Sequence, residues 1–368
     1  MTHEIPHDNG YFTSLAQLAH VFKTQGCASR FGGTTAADLA AWQTEKRAIL
    51  RDLLGFHTFE DFASPPTHRV YTFNSEDCGT YTRTKMVLQT EAFVYMPFFV
   101  LRPHGLATGE RRPAVICPNG HFNRAKESVA AVRHVPGVLE DMADAHTHHA
   151  EDFVQRGYIA FCPDVRGFGE RAERATQGGY ECSCTHLNRM GIPLGRSALG
   201  MQVYDLVKLI DYIETRDDCD PTRISAAGLS GGGMLSMYLA AADTRIACAC
   251  TSGYFFGVLE SRLHRNTHCD CNYVPGMWRH FDMGDIAALI APRSFIVETG
   301  TWDDSNGIGD FTSAMENVYT QVQITAHAYV AAGASERFKH SVQDVGHRWV
   351  GADVYPFFDA ALTFGKSD

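Results

Sequence analysis

The amino-acid sequence predicts an α/β fold in which a mostly parallel central sheet carries helices on both faces. From residue 113 onward, short apolar segments alternate with helical patterns, which is typical of parallel strands joined by helices. Residues 113–118 and 158–162 are almost wholly apolar, as expected for strands buried on both faces. Residues 224–234 add a third observation, because an apolar strand, a glycine-rich turn and the start of a helix follow one another there.

Residues 1–66 are predicted to form a helical N-terminal extension that packs on the main domain, residues 67–368. Pro65-Pro66 marks its end. Apolar side chains recur at helical spacing within it, namely Leu15, Leu18, Ala19, Phe22, Leu39, Trp42, Ile49, Leu50 and Leu53. The following segments are rich in Val, Tyr, Phe and Thr and predict antiparallel strands at the edge of the sheet, over residues 68–73, 81–89 and 93–101.

The rest of the chain continues the alternation. A helix is expected over residues 150–155, beginning at the cluster His146-Thr147-His148-His149, and residues 178–195 are expected to be a long loop. Apolar residues from Leu199 to Ile213 predict an amphipathic helix. Further strands and helices are predicted over residues 245–250, 293–298, 311–332 and 338–343. Two excursions, residues 170–195 and 251–285, are expected to form a lid over the carboxyl ends of the strands, where ligands bind in such sheets.

Composition narrows the classes of partner. The formal net charge is −10, and the sequence has no stripe of basic residues to offset it, which argues against nucleic acid as a binding partner. No apolar run approaches the length of a membrane span, so no membrane partner is expected. The first ten residues have no basic start followed by an apolar stretch, so the sequence predicts a cytoplasmic protein rather than a secreted one. A homo-oligomer is left open.

Eleven cysteines are present, and many lie in apolar, strand-like segments, which suits reduced and buried thiols. Two pairs stand apart from the rest: Cys182-Ser183-Cys184, with His186 close behind, and His268-Cys269-Asp270-Cys271. Together they could bind zinc. The Cys-x-Cys spacing differs from the usual gaps of two to four residues in structural zinc sites, so ordinary loop cysteines are the preferred interpretation and no metal is predicted. Disulfides between the pairs stay open.

Ser230 is the candidate nucleophile. It lies in Gly228-Leu229-Ser230-Gly231-Gly232, between an apolar strand and a helix. A serine at the apex of such a turn has a strained backbone, and its neighbours must be small to permit the turn. The helix that begins at Gly231 points free N–H groups at the site, where they would stabilise an oxyanion.

A serine hydroxyl needs an imidazole to accept its proton and a carboxylate to orient the imidazole. Asp303 is the preferred acid, because it follows the strand after the second excursion, and His347 is the preferred base, because it follows the last strand. The alternatives are Asp304, then Glu298, for the acid. His340 and His327 are expected within a strand and a helix and are interpreted as structural.

Two further segments are placed near Ser230. Asn119-Gly120-His121-Phe122 follows the first buried parallel strand, so the backbone N–H of His121 and that of Gly231 are the candidate oxyanion donors. Asp164 and Arg166 follow the next buried strand and are interpreted as a structural ion pair rather than as catalytic groups.

In combination, these motifs resemble the α/β-hydrolase superfamily, and more closely its dienelactone-hydrolase-like and acetyl-xylan-esterase-like members. The likeness covers the chain from about Tyr81 to the C-terminus. The usual His-Gly of the oxyanion loop appears here as Asn119-Gly120. The segments that carry the resemblance are 118–121, 163–169, 228–232, 273–276, 291–293, 299–303 and 346–349.

The resemblance implies a serine esterase that works through an acyl-enzyme, without metal or organic cofactor. A small-molecule or oligosaccharide ester is the expected substrate, with an acetylated carbohydrate preferred. Aromatic residues are expected to line the pocket, namely Tyr254, Trp278, Trp302 and Trp349. Peptide or C–C bond hydrolysis by the same triad stays open, as does a non-catalytic binding protein on a hydrolase fold.

Overall fold

A nine-stranded sheet organises the computed structural model, which describes residues 12–59, 69–122, 124–173, 182–265 and 268–362. The strand order is β1-β2-β3-β5-β4-β6-β7-β8-β9. The strands are β1 Val70–Asp77, β2 Tyr81–Glu91, β3 Val94–Pro103, β4 Arg112–Ile116, β5 Ile159–Pro163, β6 Cys219–Leu229, β7 Ile246–Ser252, β8 Ser294–Gly300 and β9 Phe338–Gln343.

The pairing of the strands confirms the predicted topology. The first three strands form antiparallel pairs, and β3 runs antiparallel to β5. From β5 through β4 to β9, every neighbouring pair is parallel. The carboxyl ends of β4 to β9 therefore meet at one edge of the sheet, and the loops that follow them are brought together there.

Helices cover both faces of the sheet, as predicted. They are α1 Leu15–Gln25, α2 Ala36–Leu53, α3 Ala125–Val129, α4 Val138–Ala145, α5 His149–Gln155, α6 Cys184–Gly191, α7 Ala198–Glu214, α8 Gly231–Ala242, α9 Met277–His280, α10 Met283–Ala288, α11 Phe311–Ala331 and α12 Val354–Ala361. Along β4, Ala114 and Ile116 pack in one hydrophobic cluster and Val115 in the other. This alternation follows from the two-residue period of a strand and places one core on each face. None of the described helices is both long and apolar enough to cross a membrane.

Helix α2 belongs to the same core as the strands. It begins with a capping box between Thr35 and Asp38, and its Leu39 and Leu50 are buried in the larger cluster. The side chain of Gln43 donates a hydrogen bond to the carbonyl of Ala291, at 2.6 Å. The boundary predicted near residue 66 lies outside the described residues, so the division into extension and main domain stays a prediction.

One predicted loop is wrong. Within residues 178–195, Cys184–Gly191 form helix α6, whose buried residues Cys184, Leu187, Asn188 and Gly191 recur at three- and four-residue spacing. The helical period was hidden because one of these positions is polar. Asn188 is nevertheless satisfied inside, since its amide donates to the carbonyl of Asp270 at 2.6 Å and its oxygen accepts from the N–H of Ala198 at 2.7 Å. Residues 174–181 of the same excursion lie outside the described part of the chain.

Candidate active site

Ser230 lies at the sharp turn between β6 and α8. Its φ of 59° and ψ of −123° fall in a region that side-chain-bearing residues rarely adopt. The glycines on either side permit this turn: a Cβ on Gly228 would lie 2.4 Å from the carbonyl carbon of Gly232, and one on Gly232 would lie 2.3 Å from the carbonyl oxygen of Pro118. The turn thus lifts the serine hydroxyl to the carboxyl edge of the sheet, at the N-terminus of a buried helix.

Asp303 and His347 contact each other directly, although 44 residues separate them. The Asp303 Oδ2 lies 2.7 Å from the Nδ1 of His347, and its Oδ1 accepts the backbone N–H of Ser305 at 2.8 Å. Only 1% of Asp303 is exposed. Burial raises the pKa of the Asp303 carboxyl, but the hydrogen bond and charge of His347 lower it further, so the net pKa lies below its ordinary value. The carboxylate is therefore ionised at neutral pH and holds Nδ1 in its protonated form.

The imidazole of His347 lies beside the residues that flank Ser230. A Cβ on Gly253 would be 3.0 Å from its Cε1 and 3.1 Å from the side chain of Leu229. The backbone N–H of Ser230 donates to the carbonyl of Ser252, next to Gly253, at 2.8 Å. Among the hydrogen bonds of the described residues, none joins Ser230 Oγ to His347. Contacts of this kind are commonly loose without substrate and tighten when it binds.

The loop after β4 approaches Ser230 from the other side. The side-chain oxygen of Asn119 accepts the N–H of Val165 at 3.1 Å, which fixes this loop to the one after β5. A Cβ on Gly231 would lie 2.7 Å from Nδ1 of His121, so the His121 ring lies against the first residue of α8. The two candidate oxyanion donors, His121 and Gly231, are thus neighbours.

Ser230 opens into a cavity of about 470 Å³. The described residues around it are His121, Cys182, Ser230, Gly231, Gly253, Tyr254, Phe256, Arg262, His268, Cys269, Asn272 and Ser305. Both excursions contribute to this wall. Tyr254 lines the cavity, as proposed from the sequence.

The three tryptophans proposed for the pocket lie elsewhere. Trp349 is 1% exposed and stacks on His149 at 4.6 Å between ring centroids, inside the core. Trp302 is 54% exposed and donates from Nε1 to the carboxylate of Asp344. Trp278 lies in an apolar groove with residues of α1, including Phe22. An aromatic residue in a loop, or in a helix as short as α9, gives no sequence signal for the side on which its ring packs, and this is the reason for the difference.

Sequence reasoning overlooked Arg262 as a residue of this cavity. Its side chain is buried, with the guanidinium 4.2 Å from the ring centroid of Phe256 and 4.9 Å from that of Tyr254. Its Nε donates to the side-chain oxygen of Asn272 at 3.2 Å. No motif marks this arginine, because its position depends on how residues 251–285 fold back over the sheet.

Asp164 and Arg166 do not pair with each other, contrary to the sequence-based interpretation. Asp164 accepts from Nζ of Lys126 at 2.7 Å, and both side chains are fully buried. Arg166 instead binds Asp205 through two hydrogen bonds, at 2.8 and 2.9 Å, and contacts Glu91. Both residues remain structural, because their partners satisfy them away from Ser230.

The two Cys-x-Cys pairs come together in space, an arrangement that the sequence analysis considered but ranked below ordinary loop cysteines because of the Cys-x-Cys spacing. Sulfur atoms of Cys182, Cys184 and Cys269 lie within 4.8 Å of one another, and so do the ligand atoms of His121, Cys269 and Cys271. These residues could hold a metal ion. His186, named with them from the sequence, is in neither set.

A larger cavity, of about 670 Å³, lies at the amino ends of the strands, where Thr222, Arg245 and Ser294 line it. It is remote from the loops that carry Ser230, Asp303 and His347, so the smaller cavity is the candidate active site.

Comparison with known proteins adds a family match. The model of the Abhydrolase family matches residues 7–346, which is most of the chain. Among curated proteins, YtaP of Bacillus subtilis (strain 168), which is named as a hydrolase, is 29% identical over 199 residues. That alignment covers 52% of this chain and 64% of YtaP, so the chain matches less than two thirds of this relative.

Solved structures share the fold across nearly the whole chain. A Bacteroides fragilis NCTC 9343 protein described as an acetyl xylan esterase has a TM-score of 0.73 at 20% identity, with 99% of this chain and 93% of that chain covered. A glucuronoyl esterase from Solibacter usitatus has a TM-score of 0.62 at 15% identity, with 90% and 95% covered. At these sequence identities the structural similarity establishes a shared fold only. The reaction has to be inferred from the residues of the site.

Proposed function

Because the chain belongs to the Abhydrolase family, we propose that it is a serine hydrolase that cleaves carboxylic esters through an acyl-enzyme. The observation that carries the proposal is the 2.7 Å contact between Asp303 and His347, at the same sheet edge as the strained Ser230. A buried carboxylate, an imidazole and a raised serine have this arrangement in unrelated serine hydrolases, where they act as one unit.

In the proposed reaction, Ser230 Oγ attacks the ester carbonyl carbon while Nε2 of His347 accepts its proton. The negative charge on the carbonyl oxygen is stabilised by the backbone N–H groups of His121 and Gly231. Collapse of the intermediate expels the alcohol, which takes the proton from His347, and leaves the acyl group on Ser230. Water then attacks with His347 as base, and the carboxylic acid and free Ser230 are released.

We propose an acylated carbohydrate as the substrate, with acetyl as the preferred acyl group. The cavity combines aromatic side chains, Tyr254 and Phe256, with polar groups, Arg262, His268 and Asn272. Such a mixture suits a sugar, which offers apolar C–H faces and hydroxyl groups. The names of the structural relatives, acetyl xylan and glucuronoyl esterase, support the same class. We also propose a cytoplasmic location, where the cysteines would stay reduced rather than form disulfides.

The test measures release of 4-nitrophenol from 4-nitrophenyl acetate, before and after a fluorophosphonate. We expect hydrolysis that the fluorophosphonate abolishes, with mass spectrometry placing the adduct on Ser230. Ser230→Ala should lose at least about 10³-fold in kcat, whereas Ser75→Ala, an exposed serine on β1, should retain full activity. A rate that resists the fluorophosphonate, or no rate on any ester, would favour a binding protein.

A substrate panel then separates the ester classes. Acetylated xylo-oligosaccharides, methyl esters of uronic acids and aryl esters are compared by kcat/KM at matched concentrations. The proposal expects the acetylated sugars to have the highest value. Preference for a peptide or for a C–C bond substrate would assign the same triad to a different reaction.

A further inference from the structure

The wall of the cavity contains a cluster of four cysteines from two separate loops. Cys182 and Cys184 stand at the start of α6, and Cys269 and Cys271 lie in and beside the turn Asp270–Asn272. The Sγ atoms of Cys182 and Cys269 are 3.2 Å apart, although 87 residues separate them in the chain. Cys184 and Cys271 are fully or almost fully buried, whereas Cys182 is exposed at the rim.

The spacing of these sulfur atoms suits a tetrahedral ion. In a zinc site with Zn–S bonds of about 2.3 Å, neighbouring sulfurs are roughly 3.8 Å apart. Here Cys182, Cys184 and Cys269 lie mutually within 4.8 Å, and Cys271 lies within 4.8 Å of Cys269. Each Cys-x-Cys pair therefore contributes both of its sulfurs to the cluster, and the two pairs together supply four candidate ligands.

Hydrogen-bond donors surround the sulfurs. The backbone N–H of Cys184 points to Sγ of Cys182 at 3.5 Å. Side-chain amides of Gln202 and Asn272 point to Sγ of Cys184 and Cys271, each at 3.7 Å. Donors of this kind stabilise thiolate ligands and fix their orientation, and metal sites depend on them nearly as much as on the ligands.

A positive charge beside the cluster would compensate the negative charge of a zinc–thiolate site. Four thiolates and one Zn²⁺ would carry a net charge of about −2, which is costly in a buried place without compensation. Arg262 brings a positive charge to the same place, since its Nε binds Asn272, the residue after Cys271. The cluster thus has ligands, donors to those ligands and a compensating charge.

We propose that Cys182, Cys184, Cys269 and Cys271 bind one structural zinc ion. With four protein ligands, no coordination position is left for water, so the ion would hold the fold together rather than activate a nucleophile. The ion would link α6, which belongs to the first excursion, to residues 268–272, which belong to the second. It would thereby hold together the two segments that line the cavity. The ring of His121 would be held with them, because its Nε2 lies 3.3 Å from Sγ of Cys271 while its other side lies against Gly231.

The first experiment measures metal in the full-length protein after purification under reducing conditions and dialysis against metal-free buffer. Inductively coupled plasma mass spectrometry should find about one zinc per chain. Cys184→Ser and Cys269→Ser should lose this zinc, and Cys78→Ser, a partly exposed cysteine outside the cluster, should keep it. Wild-type protein that is fully reduced and takes up no zinc when zinc is added would overturn the proposal.

A second measurement protects the test against variants that fail to fold. The wild-type protein is titrated with a thiol reagent, with and without a strong chelator, and its thermal midpoint is recorded in both states. We expect the chelator to expose thiols and lower the midpoint by several degrees, and added zinc to reverse both effects. No change with the chelator would contradict a structural ion.

Two other outcomes would each replace the proposed ligand set. A disulfide between Cys182 and Cys269, detected by mass spectrometry of peptides from zinc-free protein that was purified without reductant and alkylated before digestion, would make the cluster a redox element. Loss of zinc in His121→Ala together with its retention in Cys182→Ser would assign the fourth position to the histidine. All of these readouts are independent of ester hydrolysis, so the zinc proposal stands or fails separately from the proposed function.

Discussion

The carboxylate of Glu298 accepts the backbone N–H of Gly351 at 2.7 Å and thereby fixes the loop that carries His347 to strand β8. The same carboxylate accepts the N–H of Val350 at 3.1 Å and the hydroxyl of Ser252 at 2.8 Å. Ser252 in turn accepts the backbone N–H of Ser230. Glu298, the weakest of the three acid candidates, therefore lies between the nucleophile turn and the histidine loop without contacting the imidazole in the described structure.

We expect Glu298→Gln to lower kcat by about tenfold with KM little changed, because one backbone donor would then face an amide NH₂ instead of an oxygen. Stability should fall by about 1–3 kcal/mol for the same reason. Kinetics with 4-nitrophenyl acetate and urea unfolding check the two effects. Glu298 positions the loops that carry Ser230 and His347 and does not take part in the reaction. The Glu298→Gln variant should therefore still be labelled by a fluorophosphonate, although more slowly. Complete loss of labelling in a folded variant would contradict a positioning role.

Asp303→Asn is expected to lower kcat by about 10³- to 10⁴-fold, because an amide cannot hold Nδ1 of His347 as the donor. The neighbouring Asp304→Asn is a matched control. Asp304 is exposed and pairs with Arg265 at 2.7 Å rather than with the histidine. Its variant should keep kcat within about twofold, as surface ion pairs contribute little. Equal losses in the two variants would show that the sequence-based preference between these adjacent aspartates is wrong.

The elements predicted well from sequence are those whose pattern is local. Apolar strands such as 158–162 and the glycine spacing around Ser230 carry their own signal, because burial on both faces and a crowded turn each restrict residue type. The chain order of Ser230, Asp303 and His347 was predictable for a topological reason: each follows a parallel strand, and such ends meet at one edge.

Features decided by distant contacts were not predictable. Asp164 pairs with Lys126, 38 residues away, rather than with its near neighbour Arg166. Trp349 packs in the core, where its ring stacks on His149 and its backbone N–H donates to the carbonyl of Ala145 at 3.0 Å. The cysteine pairs illustrate the same limit, because Cys182 and Cys269 are 87 positions apart and a test of local spacing cannot detect their contact.

Gly228→Ala is predicted to destabilise the protein by at least about 3 kcal/mol or to prevent folding, since its Cβ would lie 2.4 Å from backbone atoms of Gly232 that cannot move aside. Gly32→Ala is the control, because a Cβ there meets nothing within 4 Å. That variant should be neutral or slightly stabilising through the unfolded state. Thermal unfolding of both variants provides the comparison, and a Gly228→Ala protein as stable as Gly32→Ala would contradict the crowded turn.

His149 should make the fold sensitive to acid. It is buried against Trp349, and burial lowers its pKa to about 3, whereas an unfolded histidine titrates near 6.5. Between these values the unfolded chain binds the proton and the folded chain does not, so stability falls as pH falls below about 6.5, by up to about 1.4 kcal/mol per pH unit. His149→Phe keeps an aromatic ring on Trp349 and cannot be protonated. Urea unfolding at several values between pH 8 and pH 5 should show a smaller loss of stability in His149→Phe than in the wild type. Parallel curves for the two proteins would mean that the ring is protonated in the folded state as readily as in the unfolded one.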